Sequence, residues 1–278
     1  MSCCCVSSQQ NPVAYEPPKG LLAHFHCPWG LFGLIAGQFM ALTNAAVNRW
    51  AVERLRLQEH EEVLEIGYGA GTAIKHAFKV EPSLSISGLD LSPEMNVSAS
   101  MLNARHIKED QCHLTVGTVQ DVYEFSKQFD TVFAVNNVMY WENLLTDLLH
   151  LRQYLKPDGK LCLFIQRCCQ NCYDSGKNNE EIQHYATHLA QAGYKNIQVN
   201  VEEIDKSSKI NKFLSLIPFF NETNQLGDRV LGICIEAENP RFLESLSTFY
   251  FNQLDPWMAK SVYVSSHHEQ PIYSHLND

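Results

Sequence analysis

The stretch that most restricts this chain is Glu62-Val63-Leu64-Glu65-Ile66-Gly67-Tyr68-Gly69-Ala70-Gly71. A short apolar, β-branched run reads as a buried strand, and three glycines at alternate positions then break it. Glycine lets the backbone turn sharply and lets a ligand approach without a Cβ in the way. Helical periodicity resumes over Thr72–Lys79, so the segment is a strand, a tight turn and a helix. In an open parallel sheet, ligands bind beyond the carboxyl ends of the strands, at just such a turn.

The turn also says what it would hold. A dinucleotide fingerprint places its third glycine three positions after the second, where this chain has Thr72; the third glycine comes two positions after, at Gly71. Glu65 adds a carboxylate, which repels a pyrophosphate and favours an ammonium. A zwitterionic sulfonium suits the turn better than a diphosphate. Asp90, nineteen residues after Gly71, closes the second strand, where an acid can accept both hydroxyls of a ribose. Each piece alone also fits a plain tight turn or a helix lead-in; the two in order point to a ligand.

The alternation continues along the chain. Leu84–Leu89 is a strand, and Ser92-Pro93 opens a helix, with Ser as cap and Pro at the first helical position. His113–Val116 and Thr131–Val135 are further strands. Leu144, Leu148, Leu151 and Leu155 recur at helical spacing up to Lys156-Pro157-Asp158-Gly159, after which Lys160–Ile165 is a buried-type strand. A helix up to Ala192-Gly193 and strands near Ile197–Val201 and Val230–Ile235 follow. Such a pattern is α/β, with a doubly wound, mostly parallel sheet. Four regions are expected: a mobile arm over 1–20, a helical cap over 21–57 broken near Thr43-Asn44, a ligand-binding domain over 58–237, and a C-terminal extension over 238–278.

Taken together, Val63–Gly71, Asp90, Phe129-Asp130-Thr131-Val132-Phe133 and Leu155-Lys156-Pro157-Asp158-Gly159 resemble the class I S-adenosylmethionine (SAM)-dependent methyltransferases. The resemblance covers residues 55 to 170 well and extends more loosely to 237. It implies a seven-stranded sheet in the order 3-2-1-4-5-7-6 with the last strand antiparallel, and SAM as cofactor. Position by position, it implies that Glu65, Gly67, Tyr68, Gly69 and Gly71 line the methionine end. Asp90 would hold the ribose and Leu91 would pack on adenine. Thr118 and Val119 follow the third strand, where the family often has an Asp; Thr118 departs from that pattern. Asn136 would sit beneath the methionine moiety and face the acceptor. The cap, with Pro28-Trp29-Gly30, Asn44 and Asn48-Arg49-Trp50, is similar to a segment of small bacterial enzymes of this class, with Cys27 in place of their usual His.

The acceptor is expected to be a small molecule. The formal charge of −10 and the lack of any Lys/Arg run disfavour broad nucleic-acid binding. After the fourth strand the chain reads Asn136-Asn137-Val138-Met139-Tyr140, without the Asn-Pro-Pro-aromatic tetrapeptide of nucleic-acid and glutamine amino-methylating enzymes. The catalytic candidates are Tyr140, which with Trp141 could wall an acceptor pocket or pack as core, and His26. A SAM-binding partner protein without turnover is the competing reading, and a nucleotide-dependent oxidoreductase is disfavoured by the glycine spacing.

No metal site is expected, although Cys169 and Cys172 have ligand spacing and His24, His26 and Cys27 could complete a set. The apolar run Trp29–Ala36 is too short to span a bilayer, so no stable membrane insertion is expected. Ten cysteines in uneven clusters, with no signal-peptide pattern, suggest a reduced, cytoplasmic protein. Cys3-Cys4-Cys5 would be candidates for acylation, and Phe213–Phe220 for a roof over the acceptor site.

Overall fold

The computed structural model describes residues 41–168, 175–205, 229–240 and 263–266. The expected arm, residues 21–40 of the cap, His24, His26, Cys27, Cys3–Cys5, Cys169, Cys172 and Phe213–Phe220 lie outside them, as does most of the 238–278 extension.

The strands are β1 (Glu62–Ile66), β2 (Ser85–Asp90), β3 (Cys112–Val116), β4 (Phe129–Val135), β5 (Leu155–Cys168), β6 (Lys195–Asp205), β7 (Arg229–Glu238) and β8 (Tyr263–Ser266). They form one sheet in the order β3-β2-β1-β4-β5-β7-β6-β8. β1 to β5 pair in parallel, and β7 is antiparallel to both neighbours. The expected seven-strand order is present, and β8 extends it in parallel on the β6 edge.

Helices cover both faces, which is why the central strands read as unbroken apolar runs. On one face, α1 (Ala45–Leu55), α2 (Thr72–Val80) and α3 (Pro93–Leu102) pack on Val63, Ile86, Phe133 and Phe164. A short α4 (Ala104–Lys108) follows α3. On the other face, α5 (Leu144–Tyr154) and α6 (Ser175–Gln191) cover Leu64, Val132, Leu163 and Ile165. Ser92 caps α3 by accepting the Met95 N–H at 3.3 Å, with Pro93 at the first helical position.

The break near Thr43-Asn44 leaves α1 as a core helix with Val47, Ala51, Val52 and Leu55 buried. Its direction matters for the site. Asn48 Nδ2 donates to Thr72 Oγ1 at 2.5 Å, beside the glycine turn. Leu55 O accepts from Lys160 Nζ at 2.9 Å, where the main run of β5 begins. The helix therefore starts at the carboxyl edge of the sheet and runs against the strands. Trp50 meets Phe164 edge-on at 5.3 Å and lies over Gly232, and Arg54 pairs with Glu202.

The segment Lys156-Pro157-Asp158-Gly159 is a bulge inside β5: Leu155 pairs with Phe129, and Lys160 with Thr131. Asn239 makes the bulge possible. Its Nδ2 donates to the carbonyls of Leu155 at 2.9 Å and Lys156 at 3.2 Å, and its backbone N–H to Gly159 O at 2.9 Å.

Candidate functional site

β1 ends in a turn whose three glycines all have positive φ: 76° at Gly67, 51° at Gly69 and 76° at Gly71. Any other residue would be strained there. Gly71 is also crowded, because a Cβ would meet Asn103 Nδ2 at 2.6 Å and Ala99 Cβ at 2.8 Å. Gly69 differs: a Cβ there would meet nothing within 4 Å. The turn is packed from below at Gly71 and open at Gly69.

Two acids converge on it. Asp90, at the end of β2, accepts the Gly69 N–H on Oδ2 at 2.7 Å and the Ser92 N–H on Oδ1 at 2.9 Å. It ties the turn to the start of α3 while each oxygen keeps a further lone pair. Glu65 is 2% exposed, and its Oε2 is buried without a hydrogen-bond partner. Burial first, and the Asp90 charge second, push its carboxyl well above the usual glutamate range. Burial likewise raises Asp90, against the two backbone N–H bonds. Most buried polar groups are satisfied, so an orphaned carboxylate oxygen beside a second acid is unusual. A cation or a hydroxyl donor would relieve it.

The neighbouring positions divide into surface and core. Leu91 is 60% exposed, an apolar side chain next to Asp90. The Tyr68 ring is buried against Gly88, with its hydroxyl donating to Thr115 O at 3.2 Å, so this residue offers the turn its backbone. Thr118 is exposed and forms a capping box with Asp121 at the head of a short 3₁₀ helix, Val119–Phe125. Val119 is buried.

At the end of β4, Asn136 takes a positive φ of 50°, and its Oδ1 accepts the Gln166 N–H at 2.7 Å, which ties it to β5. The side chain that reaches over the glycine turn is that of the next residue. A Cβ at Gly67 would overlap the Asn137 amide, whose Oδ1 accepts the Trp141 indole N–H at 2.7 Å. In the sequence nothing distinguishes Asn137 from its neighbour Asn136 as the residue that reaches the turn. Trp141 is buried in the core, whereas Tyr140 is 45% exposed at the rim. Partial desolvation at the rim raises the Tyr140 hydroxyl, and the nearby Arg167 opposes the rise. Arg167 itself is paired with Glu181 of α6.

The carboxyl edge thus presents an open glycine, an orphaned acid, a second acid with spare lone pairs and an exposed apolar side chain. These features suit a ligand with a cationic end, vicinal hydroxyls and a flat apolar ring. Among the described residues, no group of three or more His, Cys, Asp or Glu could hold a metal ion.

The chain is similar to known proteins in sequence and in fold. Residues 64–161 match the family model described as a methyltransferase domain. An uncharacterized methyltransferase of Bacillus subtilis, YdaC, is 29% identical over 133 residues, covering 48% of this chain and 71% of that protein. A tRNA U34 carboxymethyltransferase of Nautilia profundicola is 29% identical over 105 residues, 38% of this chain and 34% of that one. Among solved structures, phosphoethanolamine N-methyltransferase 2 of Haemonchus contortus, bound to phosphomonomethylethanolamine and S-adenosylhomocysteine, superposes with a TM-score of 0.56. It is 15% identical, with 81% of this chain and 62% of that one covered.

Proposed function

Given that this chain has the fold of the class I SAM-dependent methyltransferases, we propose that it transfers the SAM methyl group to a small-molecule acceptor. The observation that carries this reading is Glu65, a buried carboxylate with an orphaned oxygen, set beside Asp90 at the glycine turn. Two like charges in a desolvated site destabilise each other. A diphosphate would add to that repulsion, whereas an ammonium removes it.

In this reading Glu65 accepts from the ammonium of the methionine moiety, and the backbone of Gly67, Tyr68, Gly69 and Gly71 shapes its cradle. The spare lone pairs of Asp90 accept from the ribose hydroxyls. Leu91 supplies an apolar face for adenine, flanked by Thr118 and Val119. SAM supplies an electrophilic methyl group when bound. The chain's own contribution to an in-line displacement is then to hold the nucleophile on the methyl axis and to keep water away. Asn136 and Tyr140 stand on the acceptor side; His26 is a further candidate outside the described residues.

The net charge of −10 favours a small acceptor over a polyanion. The small-molecule ligand in the phosphoethanolamine enzyme's structure agrees with this, and the tRNA-modifying relative names the alternative. Among the described residues, Cys112, Cys162 and Cys234 are buried free thiols. Among the described residues no helix is long and apolar enough to cross a membrane.

The test is transfer of labelled methyl from SAM to a metabolite extract and, separately, to bulk tRNA. Label in a small-molecule product is the expected result. Label in tRNA alone would overturn the acceptor class, and tight SAM binding with no label anywhere would favour a non-catalytic partner protein.

A further inference from the structure

The turn after β4 contains a side-chain latch. Asn137 lies against the bare face of Gly67, close enough that a Cβ there would overlap its Nδ2. Its Oδ1 accepts from Trp141 Nε1 at 2.7 Å. An indole N–H only donates, so this bond fixes which end of the amide is which. The oxygen faces Trp141 and the NH2 group faces the turn. Trp141 cannot swing away, being 6% exposed among core residues that include Leu144 and Leu148. The intervening 3₁₀ turn Val138–Tyr140 holds the two in register, with Tyr140 N donating to Asn137 O at 2.9 Å.

The same turn therefore carries two recognition groups of opposite kind. Glu65, two residues before Gly67, is an acceptor with an orphaned oxygen; Asn137, above Gly67, is a donor locked in orientation. That pairing matches a zwitterion, with the ammonium to Glu65 and the carboxylate to Asn137. We propose that Asn137 donates to the methionine carboxylate of SAM, and that Trp141 is the positioning residue that keeps the amide N–H turned toward it. The assignment rests on the SAM reading above. It makes this chain selective for the intact amino-acid end of its cofactor.

Calorimetry with SAM and with decarboxylated SAM tests it. Asn137→Ala should lose about ten-fold in SAM affinity, the worth of a hydrogen bond to a charged group, and less than about two-fold for the decarboxylated ligand. Trp141→Phe keeps the ring and removes the N–H; it should lose about three-fold, again for SAM only, because the amide becomes free to turn. Asn137→Asp preserves the bond to Trp141 and turns a carboxylate toward the ligand. It should reverse the preference, binding decarboxylated SAM the more tightly. Equal losses for both ligands, or none, would reduce the latch to packing and overturn the proposal. Wild-type protein that binds neither ligand would overturn the SAM reading itself.

Discussion

Glu65 is the residue whose chemistry most separates binding from stability. Its carboxyl, and that of Asp90, are raised in the folded chain, so the folded state holds protons that the unfolded state has released. The ligand-free protein is therefore expected to lose stability as pH rises from the ordinary carboxylate range through the folded values of these two acids. A bound ammonium favours the ionised form, so SAM should bind more tightly over that same rise and restore the lost stability. Glu65→Gln removes one of the two charges: the ligand-free melting temperature should rise at neutral pH and its pH dependence flatten. SAM affinity should fall roughly ten- to a hundred-fold, the loss of a charge-assisted hydrogen bond. Thermal melts across pH, with and without SAM, read all three effects. A variant that melts lower and binds SAM unchanged would show Glu65 to be structural.

Among the elements, α1 decides how the site is supported. Leu55 is 1% exposed in the layer shared with α2, and Leu55→Ala should cost about 2–5 kcal/mol of stability. SAM affinity per folded molecule should hold, because Leu55 sits at the amino edge beside Lys160, away from the glycine turn. Urea unfolding paired with calorimetry separates the two quantities. The elements were mostly legible in the sequence because parallel strands covered on both faces demand long apolar runs, and because Ser92-Pro93 writes its helix start in local chemistry. The bulge in β5 was not, since it depends on Asn239, remote in the chain, to satisfy the carbonyls of Leu155 and Lys156. β8 is four residues on a sheet edge, too short to carry a pattern. At the site, the glycines and the two acids were legible because their positions follow from backbone geometry. Which of two adjacent asparagines reaches the turn was not: it depends on the positive φ of Asn136 and on an indole four residues beyond Asn137.

For the whole molecule, the excess of 31 acidic over 21 basic residues sets what can approach. Counterion release gives polyanion binding its steep salt dependence, and this chain has no basic run to provide it. Bulk tRNA should therefore fail to compete with a small acceptor for methyl transfer even at low ionic strength. Competition assays at low and moderate salt check this; strong inhibition by tRNA that fades with added salt would reveal a local basic surface.

One consequence of the way α1 is seated concerns the order in which the chain is made. The helix leaves the ribosome before the strands it packs against, for Trp50 rests on Phe164 and Gly232, and Arg54 pairs with Glu202. Its apolar stripe thus closes against strands that emerge late, a contact of long sequence separation and slow to form. Until β6 and β7 arrive, Trp50 has only part of its seat, and the nascent chain carries an uncovered hydrophobic helix of the kind that chaperones bind. A helix synthesised ahead of every strand it rests on is thus among the last elements to be secured.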